Sequence, residues 1–419
     1  MSVSSLEAGA PGSSRGASAA WSSPRTAAAV AVAALVVAGA FVLSAVRDGD
    51  QSPAVSLLIG AALGLAFERG RFCFFCIFRD AFEHRNTTPL LSILTAVAVC
   101  AIGHAVVFGL YLPNPRGEGL PPLAHISPVS LPLVVGAFAF GIGMALSGAC
   151  ISGHLYRLGQ GDLRGAPALA GSLVGFGLGF LTWNGLYLRF VVESPSWWLP
   201  RWWGYGGALV ATLVATGVLA ALAVRANRGD GGEAAEPIDT GVAEGRPDSL
   251  RDRWHQAMVR RWSPVATGAV VGTIGTIAYL RVAPLGVTSQ LSTVSRTFLD
   301  GRGALPEVLH GIDVLKGCVG TVTTAVTNNG WLVIGLVSAS LASALAGGRF
   351  RVVRPTLRGG ASGALGGVLL GWGSMTSLGC TVGVLLSGTQ SFALSGWAFA
   401  TAVVAGVLLG LRLRLHRFV

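Results

Sequence analysis

The residues of this chain best suited to chemistry are cysteines within glycine- and serine-rich stretches. The sequence contains six cysteines, and three of them, Cys73, Cys150 and Cys380, occupy such stretches. A thiol is a polarisable group and a weak hydrogen-bond donor, whereas a cysteine in an ordinary apolar helix is usually a small filler. Cys100 lies in an unbroken apolar run and is interpreted as filler. The other three are candidates for contact with a ligand.

The segment Cys73-Phe-Phe-Cys76 has the C-x-x-C spacing found in redox and metal sites. No second C-x-x-C and no nearby histidine pair completes a tetrahedral metal site, so the sequence predicts no metal and no other cofactor. The thioredoxin-like unit that usually carries a redox C-x-x-C is not indicated by the sequence either. No catalytic residue is assigned, and the chain is not predicted to be an enzyme. A membrane thiol enzyme acting through Cys73 and Cys76 remains an alternative.

Two polar residues, His104 and Asn184, lie inside apolar runs. An ionisable side chain at membrane depth is a functional candidate by default. The preferred interpretation is nevertheless structural, because a neutral histidine can bond to a neighbouring carbonyl, and the same holds for Asn184. The absence of a G-x-x-x-x-G-K-[ST] motif argues against a built-in ATPase.

The elements that position these residues must be membrane helices. Of the 419 residues, 52% are hydrophobic and 12% are charged, about half the charge usual in soluble domains. This composition excludes a soluble enzyme, a disordered chain and a coiled coil. The prediction is an all-α polytopic membrane protein with about ten transmembrane helices, nine in the core and one extra at the N-terminus. The ten apolar windows are 26–46, 51–67, 89–112, 128–149, 166–188, 204–224, 264–280, 330–348, 357–377 and 395–413.

The last apolar run is too long for one helix. The 53 residues from Gly359 to Leu411 carry no charge, and a single helix of that length would measure about 80 Å. Two spans leave residues 378–394 between them, an interval rich in glycine, serine and threonine. Irregular backbone at membrane depth is tolerated only where protein or a watery cavity surrounds it. The interval is therefore predicted to be a re-entrant segment that lines a site.

An internal repeat relates the cysteine-bearing segments. Gly148-Ala-Cys-Ile-Ser-Gly153 resembles Gly379-Cys-Thr-Val-Gly383, and Cys73 aligns with Ser289. The predicted topology gives the two halves opposite orientations, so they are interpreted as inverted repeats. Many secondary transporters build a site where interrupted helices of such repeats meet. The amino ends of half-helices expose unpaired N–H groups, which suit an anion.

Helix packing by small residues is the competing interpretation of these glycines. Four Gly-x-x-x-Gly pairs are assigned to packing alone, namely those beginning at Gly60, Gly268, Gly367 and Gly406. Packing does not explain four polar, glycine-interrupted segments in matched positions.

The repeat and the loop charges define the predicted organisation. Basic loop residues favour the cytoplasm, which places the linker and both termini inside and the cluster Trp197, Trp198, Trp202 and Trp203 at the outer interface. The net charge of +11 is assigned to these loops and not to nucleic-acid binding. The apolar run 26–46 exceeds the apolar region of a signal peptide and is predicted to be retained. The predicted parts are a disordered tail (1–25), an extra N-terminal helix (26–46), a first repeat (51–225), a polar linker (226–262) and a second repeat (263–419).

Together these motifs resemble the YeeE/YedE family of thiosulfate and sulfur-compound transporters. The resemblance covers roughly residues 51–414 and rests on the stretches 68–80, 147–161, 286–289 and 378–388. It implies an hourglass-shaped importer in the cytoplasmic (inner) membrane, with short re-entrant half-helices. It also implies that thiols contact thiosulfate along the path through S–H hydrogen bonds.

The resemblance implies that Cys73, Cys150 and Cys380 contact the substrate. The full set of residues predicted to bind substrate also includes Arg71, Ser289, Gly153, Gly379 and Gly383. Arg69, Arg71 and Arg296 are candidates for an electropositive mouth. The expected partners are a small anion (thiosulfate), the lipid bilayer and a cytoplasmic sulfur-carrier protein. Two departures are the Gly-Ala-Cys order at Cys150 and the presence of Cys76. A transporter of a different anion, or of a selenium species, is the alternative within this class.

Overall fold

Each of the ten apolar windows overlaps a long helix. The computed structural model of the protein describes residues 24–46, 50–117, 119–229, 260–312, 315, 317 and 319–418. In these residues the only β-structure is two isolated bridges. The helices, numbered in chain order, are α1 (Pro24–Val46), α2 (Ser52–Gly70), α3 (Phe74–Glu83), α4 (Leu90–Tyr111), α5 (Leu131–Ser147), α6 (Ile151–Gly159), α7 (Gly165–Leu186), α8 (Pro200–Gly229), α9 (Pro264–Arg281), α10 (Ser289–Asp300), α11 (Asn328–Ala346), α12 (Leu357–Thr376), α13 (Ser387–Gln390) and α14 (Leu394–Arg412). Tyr187–Val191 and Thr381–Leu386 are π-helical, and Leu415–Phe418 is a 3₁₀ turn.

The prediction of an all-α polytopic membrane protein is confirmed. In the described part of the chain, eight helical stretches are long and apolar enough to cross a membrane. The other two apolar windows fall in α2 and α9, which are not among these eight. The predicted tail (1–25) and linker (226–262) lie largely outside the described residues, although α8 continues to Gly229.

Four helices are interrupted where the sequence turns polar and glycine-rich. We call these interruptions the first break (71–73), the second break (148–150), the third break (282–288) and the fourth break (377–380). In three of them one residue has a positive φ, namely Arg71 (49°), Gly148 (79°) and Leu378 (62°). A left-handed residue ends a helix by turning the chain away from the helical path. Each break is therefore followed by a new helical segment with its own amino end.

The second and fourth breaks are built in the same way. In each, a serine hydroxyl donates to the carbonyl four residues earlier and to the carbonyl two residues later. These distances are 2.8 and 3.0 Å for Ser147 and 2.5 and 3.1 Å for Ser377. The serine hydroxyl therefore ties the last turn of the helix to the backbone of the break that follows it.

Helices of the two halves pack reciprocally. α2 in the first half packs on α11 in the second, and α9 in the second half packs on α4 in the first. In the same way α5 packs on α14 and α12 on α7, while α5 and α12 contact each other. Each half therefore completes the core of the other, and neither half encloses a site alone.

The four Gly-x-x-x-Gly pairs lie at these interfaces, so their assignment to packing is confirmed. A Cβ added at seven of the eight glycines would collide with backbone atoms of the facing helix. At the eighth, Gly410, it would collide with the Ala145 side chain. Such small residues let helix backbones approach closely in a membrane.

Gly175 on α7 offers a direct test of this packing. A Cβ there would collide with Val368 O and lie 2.8 Å from Trp372 N, whereas a Cβ at Gly185 on the same helix would meet nothing within 4 Å. We expect Gly175→Leu to lower stability by about 3 kcal/mol, the upper end for an overpacked core. Thermal unfolding of the detergent-solubilised protein measures this. The matched variant Gly185→Leu should unfold near the wild-type temperature, and equal losses in both variants would contradict the assignment.

The tryptophan cluster divides into two kinds of position. Trp197, Trp202 and Trp203 are exposed, as an interfacial belt requires, but Trp198 is 1% exposed and donates from Nε1 to Ser391 O at 2.9 Å. Its neighbour Leu199 donates from its backbone N–H to Phe392 O at 3.0 Å. The prediction was therefore wrong for Trp198, because this side chain stabilises the irregular chain that follows α13.

Candidate functional site

The first and second breaks bring two of the predicted thiols together. Cys73 directly precedes α3 and Cys150 directly precedes α6. Their Sγ atoms lie 4.0 Å apart, and both residues are 0% exposed. Two sulfhydryl groups therefore meet at the amino ends of two short helices, where backbone N–H groups have no intrahelical partner.

Gly153 maintains the space beside this thiol pair. A Cβ at this position would lie 2.8 Å from Cys73 Sγ and 3.4 Å from Cys150 Sγ. The hydroxyl of Ser152 lies 3.2 Å from Cys150 Sγ. The structure thus gathers three of the predicted site residues, Cys73, Cys150 and Gly153, in one buried cluster.

Cys76 lies one turn along α3 and is bonded to an arginine that the sequence analysis did not single out. Arg157 donates from Nη2 to Cys76 Sγ at 2.9 Å and from Nη1 to Gly148 O at 3.3 Å. The side chain therefore folds back from the end of α6 to the second break. The sequence does contain a signal for Arg157. It is a charged residue in the short helix that follows Cys150, where helix packing alone would not require a charge.

A cavity of about 700 Å³ lies next to Cys76 and Arg157. It extends to the face of the molecule that carries Arg261, Arg349 and His416, which we call the linker face. Seven arginines and three acidic residues line it: Arg69, Arg71, Arg79, Arg157, Arg164, Arg261 and Arg349, and Glu68, Asp80 and Asp162. Arg69 and Arg71, two of the three arginines predicted for an electropositive mouth, both line this cavity.

Arg296, the third arginine predicted for that mouth, lies elsewhere. Its Nη1 donates to Gly320 O at 2.9 Å, and its guanidinium stands 5.8 Å from the centre of the Phe180 ring. The structure does not place it among the residues that line the cavity.

Several charges around the cavity neutralise one another. Asp162 accepts two hydrogen bonds of 2.8 Å from Arg164. Burial alone would raise the pKa of the Asp162 carboxyl, but the hydrogen bonds and charge of Arg164 lower it below its ordinary value. Glu68 accepts from Arg349 Nη2 at 2.8 Å and from Ser343 Oγ at 2.6 Å. These pairs leave less free positive charge than the composition of the lining indicates.

The fourth break holds a second group of predicted site residues. Cys380 is 1% exposed, and Gly379 and Gly383 are buried in the same segment. Ser387, further along this segment, donates to Leu285 O in the third break at 2.9 Å. The start of α13, which follows the fourth break, is therefore in contact with the third break.

Ser289 does not occupy the position that corresponds to Cys73. Thr288 directly precedes α10, as Cys73 precedes α3, and its hydroxyl is buried. Ser289 begins α10 and donates from Oγ to Val319 O at 3.4 Å. The alignment of Cys73 with Ser289 is therefore displaced by one residue from the structural correspondence, in which Thr288 matches Cys73.

The second and fourth breaks lie at different levels along α5. The second break follows Ser147, whereas a Cβ at Gly136 would lie 3.2 Å from Ser377 N in the fourth break. Positions 136 and 147 on α5 are separated by about 16 Å at the usual helical rise. Ser147 and Ser377, where the two breaks begin, thus lie at different levels along α5, while Cys73, Cys150 and Cys380 all belong to the same buried core.

The polar residues inside apolar runs have structural roles, as predicted. His104 Nδ1 lies 3.0 Å from Cys100 O, one turn earlier in α4. Asn184 donates from Nδ2 to Val308 O at 2.8 Å. Across the described ranges, no three His, Cys, Asp or Glu side chains converge in a group that could hold a metal ion.

A helical membrane protein with buried thiol stations and a basic cavity on one face has the features of a small-solute transporter. The chain belongs to the family described as Sulphur transport, which matches residues 69–409. This confirms the resemblance found in the sequence.

Its relatives include two proteins called Thiosulfate transporter TsuA. The one from Escherichia coli (strain K12) is 25% identical over 382 residues, which cover 84% of this chain and 91% of the relative. The one from Spirochaeta thermophila is 25% identical over 368 residues, covering 84% and 95%. A Probable transporter YedE from Escherichia coli (strain K12) is 27% identical over 158 residues, covering 38% and 37%.

Proposed function

We propose that the protein imports thiosulfate, or a closely related small sulfur anion, along a path past the fourth break and then the second break. The two relatives called thiosulfate transporters, which align over most of the chain, support this substrate. The observation that carries the mechanism is the pair of thiols 4.0 Å apart at the amino ends of α3 and α6.

The chemistry of the pair suits a dianion with one soft end. An ion that leaves water needs hydrogen-bond donors to replace its hydration, or the cost of transfer is prohibitive. Half-helix N–H groups and neutral thiols are donors without a full counter-charge, so they bind the ion without trapping it. Conduction requires such weak binding at more than one site. Cys380 at one level and Cys73 with Cys150 at another provide two such sites.

The proposed orientation in the membrane rests on the placement of charge. Arginines flank the linker face at 349–358 and 412–417, so the positive-inside rule places this face and both termini in the cytoplasm. The basic cavity is then the cytoplasmic end of the path in the inner membrane. A sulfur-carrier protein is the proposed acceptor there, because it would receive the anion where the cavity opens.

A thiol enzyme is the second candidate, and one observation favours it. Cys73 precedes α3 and Cys76 lies in its first turn, the arrangement in which a helix start can activate a C-x-x-C thiol. In such an enzyme a thiolate would attack the outer sulfur of thiosulfate, so that a cysteine persulfide forms and sulfite leaves as the S–S bond of thiosulfate breaks. Mass spectrometry after exposure to thiosulfate distinguishes the two functions, because transport leaves Cys73 and Cys76 unmodified.

Uptake of ³⁵S-labelled thiosulfate into proteoliposomes tests the proposal. We expect saturable uptake in vesicles that contain the protein and only leakage in empty vesicles. Unlabelled thiosulfate should compete more effectively than sulfate, because thiols favour the soft terminal sulfur. Equal competition by sulfate would indicate a different anion, and a stable persulfide on Cys73 or Cys76 would favour the enzyme.

A further inference from the structure

Arg157 forms no ion pair among the described residues, although its charge contributes to lowering the pKa of Asp162. Its hydrogen bonds go to groups without a full negative charge, namely Gly148 O, Cys76 Sγ and the Tyr156 side chain. In the same cavity, by contrast, Arg164 pairs with Asp162, and Arg349 pairs with Glu68 at 2.8 Å. A largely buried guanidinium without an anionic partner is costly, so its position favours an anion that comes from outside the protein.

His154 supplies a second, independent sign of a ligand. It lies three residues before Arg157 in α6, on the same side of the helix, and lines the same cavity. The residue is 3% exposed, yet its Nε2 atom has no hydrogen-bond partner in the described structure. His104 Nε2 is unpaired too, but His154 differs from His104 because it lines a cavity together with Arg157. Buried polar atoms are usually paired, so an unpaired one at this cavity points to a bound group.

We propose that Arg157, His154 and Cys76 form an oxyanion-binding station immediately inside the thiol pair. The guanidinium offers a planar fork of donors that matches the oxygens of a sulfonate or sulfate group. His154 Nε2, in the form that carries a proton, donates a further hydrogen bond. The tie between Arg157 and Gly148 places the guanidinium beside the second break, two residues from Cys150.

The station would bind the ion at an intermediate position, between the thiol pair and the water at the cavity opening. The thiol pair contacts the soft sulfur, whereas Arg157 and His154 contact the hard oxygens, so the ion can change partners without losing all its donors. The identity of the ion as thiosulfate rests on the proposed function, but the preference for a tetrahedral oxyanion rests on these three side chains alone. We therefore expect sulfate to bind at this station too, and not thiosulfate alone.

Protection of Cys76 from alkylation measures binding at this station. The purified full-length protein is treated with N-ethylmaleimide with and without thiosulfate or sulfate, and mass spectrometry follows modification of Cys76. We expect both anions to slow the modification in the wild type. Arg157→Gln should weaken the apparent affinity by about 10-fold, as expected for loss of a hydrogen bond to a charged group. His154→Leu should weaken it in the same direction and tests the station separately if Arg157→Gln does not fold.

Arg164→Gln is the matched control, because it removes one arginine from the same cavity but one that Asp162 already neutralises. Its affinity should stay within about twofold of wild type, since an exposed ion pair contributes little. Equal losses in Arg157→Gln and Arg164→Gln would overturn the station in favour of a diffuse basic surface. Absence of protection by either anion in the wild type would overturn it too.

A Cys73→Ala/Cys150→Ala variant separates the station from the proposed function. If thiosulfate still protects Cys76 while uptake is lost, both proposals are supported. If wild-type uptake is normal but no anion protects Cys76, the transport proposal stands and the station is refuted. If thiosulfate protects Cys76 but the wild type transports none, the station stands without the transport function.

Discussion

Cys150→Ala is expected to reduce the initial rate of thiosulfate uptake by at least about 10-fold, because a bound anion that loses one buried donor is penalised by about 1–3 kcal/mol. Cys150 Sγ lies 4.0 Å from Cys73 Sγ and 3.2 Å from Ser152 Oγ, so it is the central group of the buried cluster. Alanine removes the thiol and leaves the fold of the break, since the serine bonds at Ser147 remain. Proteoliposomes with equal amounts of protein give the comparison.

Cys100→Ala is the control for this prediction. Cys100 is also 0% exposed, but it lies on α4, where its Sγ is 3.1 Å from His104 Nδ1 and 3.6 Å from Thr276 Oγ1 of α9. Its uptake rate should remain within about twofold of wild type, the range for a small change in packing. Cys380→Ala should resemble Cys150→Ala, because the path needs both stations. Normal uptake in Cys150→Ala would show that the thiols do not contact the substrate.

The helices and their breaks could be predicted because both depend on local sequence. A charge-free run such as Gly359–Leu411 is too long for a single membrane-spanning helix. The polar interval inside it marks the place where the first helix must end. The structure ends α12 at Thr376 and starts a new segment at Thr381. The packing glycines could be predicted for the same reason, since their spacing alone places them on one face of a helix.

What could not be predicted depends on contacts between distant parts of the chain. Cys76 and Arg157 are 81 positions apart, and their hydrogen bond is set by how α3 and α6 pack. Trp198 was grouped with the interfacial tryptophans because its hydrogen bond to Ser391 O joins the two halves of the chain. A contact between such distant residues leaves no signal in the local sequence. The different levels of the second and fourth breaks follow from the antiparallel packing of α5 on α12, which no local pattern specifies.

The two halves also differ where α2 and α9 end. Counted from the first glycine of the packing pair in each helix, Glu68 in α2 corresponds to Thr276 in α9. Thr276 donates to Gly272 O at 3.2 Å, within its own helix. Glu68 instead connects α2 to Ser343 in α11 and to Arg349 beyond it. The charged residue of this pair, Glu68, lies at the linker face. Its hydrogen bonds hold α2 against α11 in the wall of the cavity.

Glu68→Ala is expected to destabilise the protein by about 3–5 kcal/mol, the cost of removing one partner from a buried ion pair. Glu68 is buried and lies 3.3 Å from Arg69 Nε and 2.8 Å from Arg349 Nη2, so both guanidinium groups lose their carboxylate at once. The hydroxyl of Ser343 loses its acceptor as well. Thermal unfolding in detergent should show a lower midpoint, and size-exclusion chromatography should show aggregated protein.

Asp162→Asn provides the control, because it breaks an ion pair at the same cavity whose arginine side chain is 47% exposed. A solvent-exposed pair contributes at most about 1 kcal/mol, so this variant should unfold close to the wild-type midpoint. The difference between the two variants isolates the effect of burial, since each removes one carboxylate from the lining of the same cavity. If Glu68→Ala were as stable as Asp162→Asn, the Glu68 cluster would not fasten α2 to α11, and the cavity wall would be held by helix packing alone.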